Sequence, residues 1–178
     1  MTILRRLAMT VAIPVLSAAG LVAVAAPDAS AGCPTGTIYT TSDGQHYFIP
    51  KGGNYTTNGP AEVTLSVSVT NGTIVTGTVT GSVSFSLSAI LASATATFGG
   101  SFAISKTSSV TTTGSWTPET GHGWLAWGAW GYAFDWQQGH YDGGCHWIQT
   151  GSGEGIAPNV STGFDKGYGY GPPGPPAT

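Results

Sequence analysis

The chain has 178 residues but only five Lys or Arg against eight Asp or Glu, a formal net charge of −3. Such a sparse and slightly acidic set of charges makes no basic patch for a phosphate backbone, so nucleic acid is not a partner. The length suits a single domain with a sizeable core.

At the amino terminus, Arg5 and Arg6 precede an apolar run from Leu7 to Ala26, and Ala29-Ser30-Ala31 has the small-residue pattern of a signal cleavage site. Residues 1–31 therefore read as a signal peptide, with a single membrane anchor as the competing reading. The paired arginines are compatible with twin-arginine export. Ser30-Ala31-Gly32-Cys33 has some likeness to a lipoprotein signal, but Ser30 stands where a branched aliphatic residue is usual. Removing 31 of the 178 residues leaves 147, in which Lys51, Lys106 and Lys166 face seven acids for a balance of −4. The localisation expected is secreted and extracellular. In that oxidising setting the two remaining cysteines, Cys33 and Cys145, are expected to pair and to staple the amino terminus beside the last strand.

Residues 33–60 are rich in Gly, Thr, Asn and Pro around a short Tyr47-Phe48-Ile49 cluster, which predicts turns about one or two brief strands. From Ala61 to Thr113 apolar residues alternate with Ser and Thr. Val63, Leu65, Val67 and Val69 share one parity, and Val75, Val79, Val83, Phe85, Leu87, Ala89 and Leu91 keep it. A period of two with hydroxylic partners predicts strands that have one apolar and one wet face, and it argues against helix throughout. Asn71-Gly72 predicts a two-residue hairpin turn between strands at 61–70 and 74–89. Beyond Ile90 the apolar set moves to even positions: Ala92, Ala94, Ala96, Phe98, Phe102 and Ile104. Either a bulge or a reversal at an apolar tip produces that change, and the reading favours a bulge near Ile90 with a turn at Gly99-Gly100. A Thr-rich strand follows over 105–115.

From Gly121 to Trp136 both parities are apolar, which predicts the strand that the core layers are built against. Trp124, Trp130, Tyr132, Phe134 and Trp136 fall on one parity. Such rings are more often core than ligand platform, although an exposed parity would suit stacking on sugars or a membrane interface. Asp135, Gln137, Gln138, His140, Asp142 and His146 form a polar cluster without HExxH, C2H2 or EF-hand spacing. No GxSxG motif or Cys/His nucleophile arrangement is present, so the reading is non-enzymatic, with no metal and no cofactor. Residues 166–178, rich in Gly, Tyr and Pro, read as a disordered tail.

The run GTVTGSVSFSLSAILASATATFGGSFAIS, followed by VTTTGSW, resembles the central region of aerolysin-like β-pore-forming proteins, including the epsilon-toxin and mosquitocidal-toxin branch. The likeness spans Ala61 to Trp136 and lies in texture. It implies a secreted, elongated antiparallel β protein that forms a homo-oligomer on a target membrane and converts an amphipathic hairpin into barrel wall. On this reading Val83, Phe85, Leu87, Ala89 and Leu91 supply one lipid-facing strand, and Ala94, Ala96, Phe98, Phe102 and Ile104 the other. Members of that family are often longer and carry a receptor-binding region that is not evident here.

The expectation is therefore an all-β, elongated antiparallel β-sandwich with one disulfide, running over 32–165, that acts at a membrane or cell surface. Its partners would be a membrane, a cell-surface receptor or glycan, and further copies of itself. The alternatives are an extracellular adhesion or glycan-binding module using exposed aromatics, and a structural surface or matrix protein.

Overall fold

A computed structural model describes residues 32–176; the expected signal peptide, 1–31, lies outside the described residues. The compact unit from Gly32 onward is predominantly antiparallel β. Its centre is β8 (His122–Tyr141), which pairs along nearly its whole length with β9 (Trp147–Tyr168). The other edge of β8 carries β1 (Ile38–Pro50) and, nearer its start, β2 (Thr56–Pro60). At about 3.3 Å per residue, strands of this length extend roughly 65 Å, which makes the sheet long and narrow.

Two smaller pairs complete the sandwich. β3 (Leu65–Val69) pairs with β7 (Thr112–Trp116), and β4 (Ile74–Thr76) with β6 (Ser105–Thr107). Along β3 and β4 the expected alternation holds. Leu65, Val67, Val69, Thr73 and Val75 are buried while the residues between them are exposed. Leu65, Val67, Val69 and Val75 pack with Tyr47 and Ile49 of β1 onto Leu125, Trp127 and Ala129 of β8. The opposite parity of β8 meets a second cluster, in which Phe134 and Trp136 pack with Ile90, Ala94, Phe102 and Ala157. β8 is thus covered on both faces, as its doubly apolar sequence requires.

The structure corrects three expectations. Leu87–Phe98 is an α-helix, α1, not strand. Ser86 caps its start, its hydroxyl accepting from the Ala89 N–H at 3.4 Å, and Gly99 ends it at φ 77 with its N–H on the Thr95 carbonyl. Ile90, Ala94 and Phe98 recur at helical spacing and face the second cluster. There is accordingly no strand bulge near Ile90. Asn71-Gly72 does form a turn, with the Thr73 N–H on the Thr70 carbonyl, but it joins no hairpin, because β3 and β4 pair with later strands rather than with each other. Finally, the span expected as a disordered tail begins inside β9: Lys166, Gly167 and Tyr168 pair with Leu125, Trp124 and Gly123. Beyond it, Asn58 Nδ2 donates to the Tyr170 carbonyl at 2.9 Å and the Tyr47 hydroxyl to that of Pro173 at 3.4 Å.

Two of the glycines of β9 answer to the large rings of β8. A Cβ at Gly167 would come within 2.9 Å of the Trp124 indole, and one at Gly155 would strike the Phe134 ring. These bare positions let the neighbouring strand's aromatics lie across the sheet.

Candidate functional site

β3–β4 and β6–β7 form one interrupted ribbon. Leu65 pairs with Trp116, Val69 with Thr112, Ile74 with Thr107 and Thr76 with Ser105, so each pair of residue numbers sums to 181. Reciprocal hydrogen bonds about Gly72, Thr73 and Ser108 bridge the interruption, and the Gly77 N–H on the Ile104 carbonyl at 2.7 Å carries the ribbon one step further. Everything from Thr78 to Ala103 is therefore an excursion from the end of a two-stranded ribbon.

That excursion contains all but Ile104 of the residues expected to face lipid, and here most of them are at least half-buried. Its first part edges β9: β5 (Thr78–Val79) pairs with Ile156 and Gly155, and the Thr80 and Ser82 N–H groups donate to the Glu154 and Ser152 carbonyls at 2.9 Å. Phe85 lies 5.1 Å from the Trp136 ring, and Phe98 stacks on Tyr132 at 5.3 Å and meets the bare Gly44 of β1. Ala94 and Phe102 are buried; Leu87, Ala89, Leu91 and Ile104 are half-buried; Ala96 and Val83 are exposed. The paired-strand arrangement of Val83, Phe85, Leu87, Ala89 and Leu91 with Ala94, Ala96, Phe98, Phe102 and Ile104 is thus not the one present. Besides the Phe98–Gly44 contact, a small polar seam fixes the helix to β1, with Thr41 Oγ1 3.3 Å from Ser93 Oγ and donating to Thr97 Oγ1 at 3.0 Å. The Ser86 N–H also donates to the Tyr39 hydroxyl at 2.9 Å.

The aromatic row of β8 divides. Trp124, Phe134 and Trp136 are core; Tyr132 is half-buried, with its hydroxyl 2.6 Å from His46 Nε2. Trp130 alone of the five is exposed, at 39 %, with Phe48 beside it at 5.0 Å.

The polar cluster does not converge. Asp135 lies opposite Glu154 across the β8–β9 ladder, whereas Asp142 belongs to the connecting loop. There Asp142 Oδ1 accepts from the Gly144 and His146 N–H groups at 2.8 and 2.9 Å, and Oδ2 lies 3.2 Å from His146 Nδ1. The His146 backbone N–H above all holds the Asp142 carboxyl below its ordinary range. Among the described residues, no group of three or more His, Cys, Asp or Glu side chains could hold a metal ion.

The disulfide forms as expected: Cys33 is bonded to Cys145 with the Cα atoms 5.6 Å apart, which ties the first described residues to the β8–β9 loop. Such a bond belongs to an oxidising environment. No described helix is long and apolar enough to cross a membrane. The sequence drew attention to Asp142, Cys145 and His146 in this loop but not to the residues at its base, where Tyr141 and Trp147 meet edge to face at 5.4 Å and Ile148 is 42 % exposed. An aromatic on each side of a glycine-rich turn was the available signal. No protein-family model, curated protein or solved structure matches the chain.

Proposed function

We propose that this chain is an exported, non-enzymatic protein that acts at a membrane by converting the Thr78–Ala103 excursion into a β-hairpin, in the manner of aerolysin-like pore formers. The observation that carries this reading is the ribbon's register. Continued without a slip into the excursion, it sets Val79 opposite Phe102, Val83 opposite Phe98, Phe85 opposite Ala96, Leu87 opposite Ala94 and Ala89 opposite Ala92. The alternate positions then match Ser84 with Thr97, Ser86 with Thr95 and Ser88 with Ser93. From Val79 and Phe102 inward, every apolar residue meets an apolar position and every hydroxyl meets a hydroxyl or glycine; only the first pair, Thr78 with Ala103, is mixed. The shift of the apolar set from odd to even numbers is what a reversal at Ile90-Leu91 demands, since pairs that sum to an odd number join opposite parities.

Energetics support the same conversion. α1 has 12 residues, short for a helix without tertiary support even though four alanines and two leucines favour it. Packing on β8 and the contacts with β1 therefore hold it, and a lipid bilayer offers its apolar side chains another burial, which the strand form takes by pairing its backbone in a closed barrel. Each new strand would exceed the ~9–11 residues that a tilted barrel strand needs to cross a bilayer, with apolar side chains facing lipid and hydroxyls facing a lumen.

The test is a reversible lock. Thr41→Cys with Thr97→Cys replaces the contacting hydroxyls by a disulfide that pins α1 to β1. The oxidised variant is expected to release no dye from liposomes, and mild reductant is expected to restore release to the level of the unsubstituted protein treated alike. Equal leakage from the locked and unlocked forms overturns the proposal, as does no leakage from the unsubstituted protein across neutral, anionic and sterol-rich vesicles.

A further inference from the structure

We infer that the disulfide-stapled loop between β8 and β9 is a lipid-interface anchor, with Tyr141, Trp147 and Ile148 as the inserting side chains. The inference rests on the membrane reading above but concerns a different part of the molecule. Tyr141 and Ile148 are 37 % and 42 % exposed, large apolar groups left in water at the end of the longest strand pair. Trp147 is the cross-strand partner of Tyr141, its ring edge-to-face with that tyrosine and covering the bare Gly139, while Ile148, the next residue, stands on the opposite face of the same tip.

The loop's chemistry selects lipid over a hydrogen-bonding ligand. A sugar site sets polar groups with free valences around an open ring face. Here the Asp142 carboxylate is already occupied by two backbone N–H groups and the His146 ring, and Trp147 spends one face on Gly139. No lysine or arginine lies between Trp136 and Asp165, and the one carboxylate in the loop, Asp142, keeps its backbone and His146 hydrogen bonds when water leaves. Tyr and Trp, each with an apolar body and one polar atom, suit the boundary between headgroups and acyl chains, and Ile148 adds a wholly apolar contact. The loop is also rigid before contact. Cys145, at φ 64, is bonded to Cys33, and its N–H donates to the Asp142 carbonyl, so little ordering is lost on binding.

The experiment uses the unit from Gly32 onward, which contains the whole described core, in co-sedimentation with phosphatidylcholine vesicles. The double variant Tyr141→Ser/Ile148→Ser is expected to lose at least tenfold in partitioning, whereas Val110→Ser/Val160→Ser, at two exposed valines elsewhere, keeps it. Near-ultraviolet circular dichroism establishes that both variants stay folded. Unchanged sedimentation of the tip variant, or no binding by the unsubstituted unit, overturns the inference. So does a concentration-dependent dimer that the tip substitutions abolish without changing vesicle binding, which would make the loop a contact between copies. The two proposals fail separately: vesicle binding that depends on the tip but never leads to leakage removes only pore formation, and leakage indifferent to the tip variant removes only the anchor.

Discussion

Replacing Trp136 by alanine is expected to destabilise the fold by about 3–5 kcal/mol, the usual range for removing a fully buried tryptophan. Trp136 has no exposed surface, and its ring packs on Tyr39 at 6.2 Å and on Phe85 at 5.1 Å. Its Nε1–H donates to the Thr80 carbonyl at 2.9 Å, so the substitution also strips a hydrogen bond from the strand that begins the excursion. Trp130→Ala, six residues earlier on the same parity, is expected to cost about 1–2 kcal/mol, less because part of that ring already lies in water but not negligible because it packs on Phe48. Denaturant titration of both variants checks the contrast. Equal costs would mean that the row is not divided between core and surface as described.

The second large effect concerns the disulfide. Cys33 and Cys145 are 112 residues apart. On the chain-entropy model a loop of that size contributes about 4–5 kcal/mol by restricting the unfolded chain. At roughly 2–4 °C per kcal/mol for a domain of this size, Cys33→Ser/Cys145→Ser is expected to lower the melting midpoint by about 10–15 °C. Scanning calorimetry measures this directly, and a midpoint that fell by only a degree or two would show that the staple constrains little. Reduction of the native bond should reproduce the same shift.

What was legible in the sequence depended on how local its cause is. From Leu65 to Val75 the alternation of side chains and the alternation of burial have one cause, a ribbon laid face-down on β8, so the pattern could be read straight off the chain. The parity of two cysteines in an oxidising setting likewise sufficed for the bridge. α1 was missed because Ser82-Val83-Ser84-Phe85-Ser86-Leu87-Ser88 continues the two-residue period into its first turn, and because alanines at 92, 94 and 96 satisfy either period. The helical signal was present all the same, in Ser86 at the cap, Gly99-Gly100 at the end and Ile90, Ala94 and Phe98 between. The partners of β3 and β4 were not legible, since Asn71-Gly72 marks a turn but does not say which strands it joins. β9 was hidden by its glycines, of which Gly155 and Gly167 make sense only against the rings of β8, and Gly151 and Gly153 against the excursion that edges it. As for the candidate site, the residues of the excursion were picked out in advance, but their seat on the sheet and the register that frames them needed the fold.

The double pattern over Leu87–Phe98, a two-residue period overlaid on helical caps and spacing, is the heart of the account, because a segment compatible with two backbone states can be moved from one to the other by its surroundings. Single nitroxide labels at successive positions from Val83 to Phe98, read for oxygen accessibility on vesicles, test it most directly. The expected result is a two-residue period with lipid contact at Val83, Phe85, Leu87 and Ala89, crossing at Ile90-Leu91 to Ala92, Ala94, Ala96 and Phe98. A 3.6-residue period that persists on the vesicle, as in the helix in solution, would contradict the account.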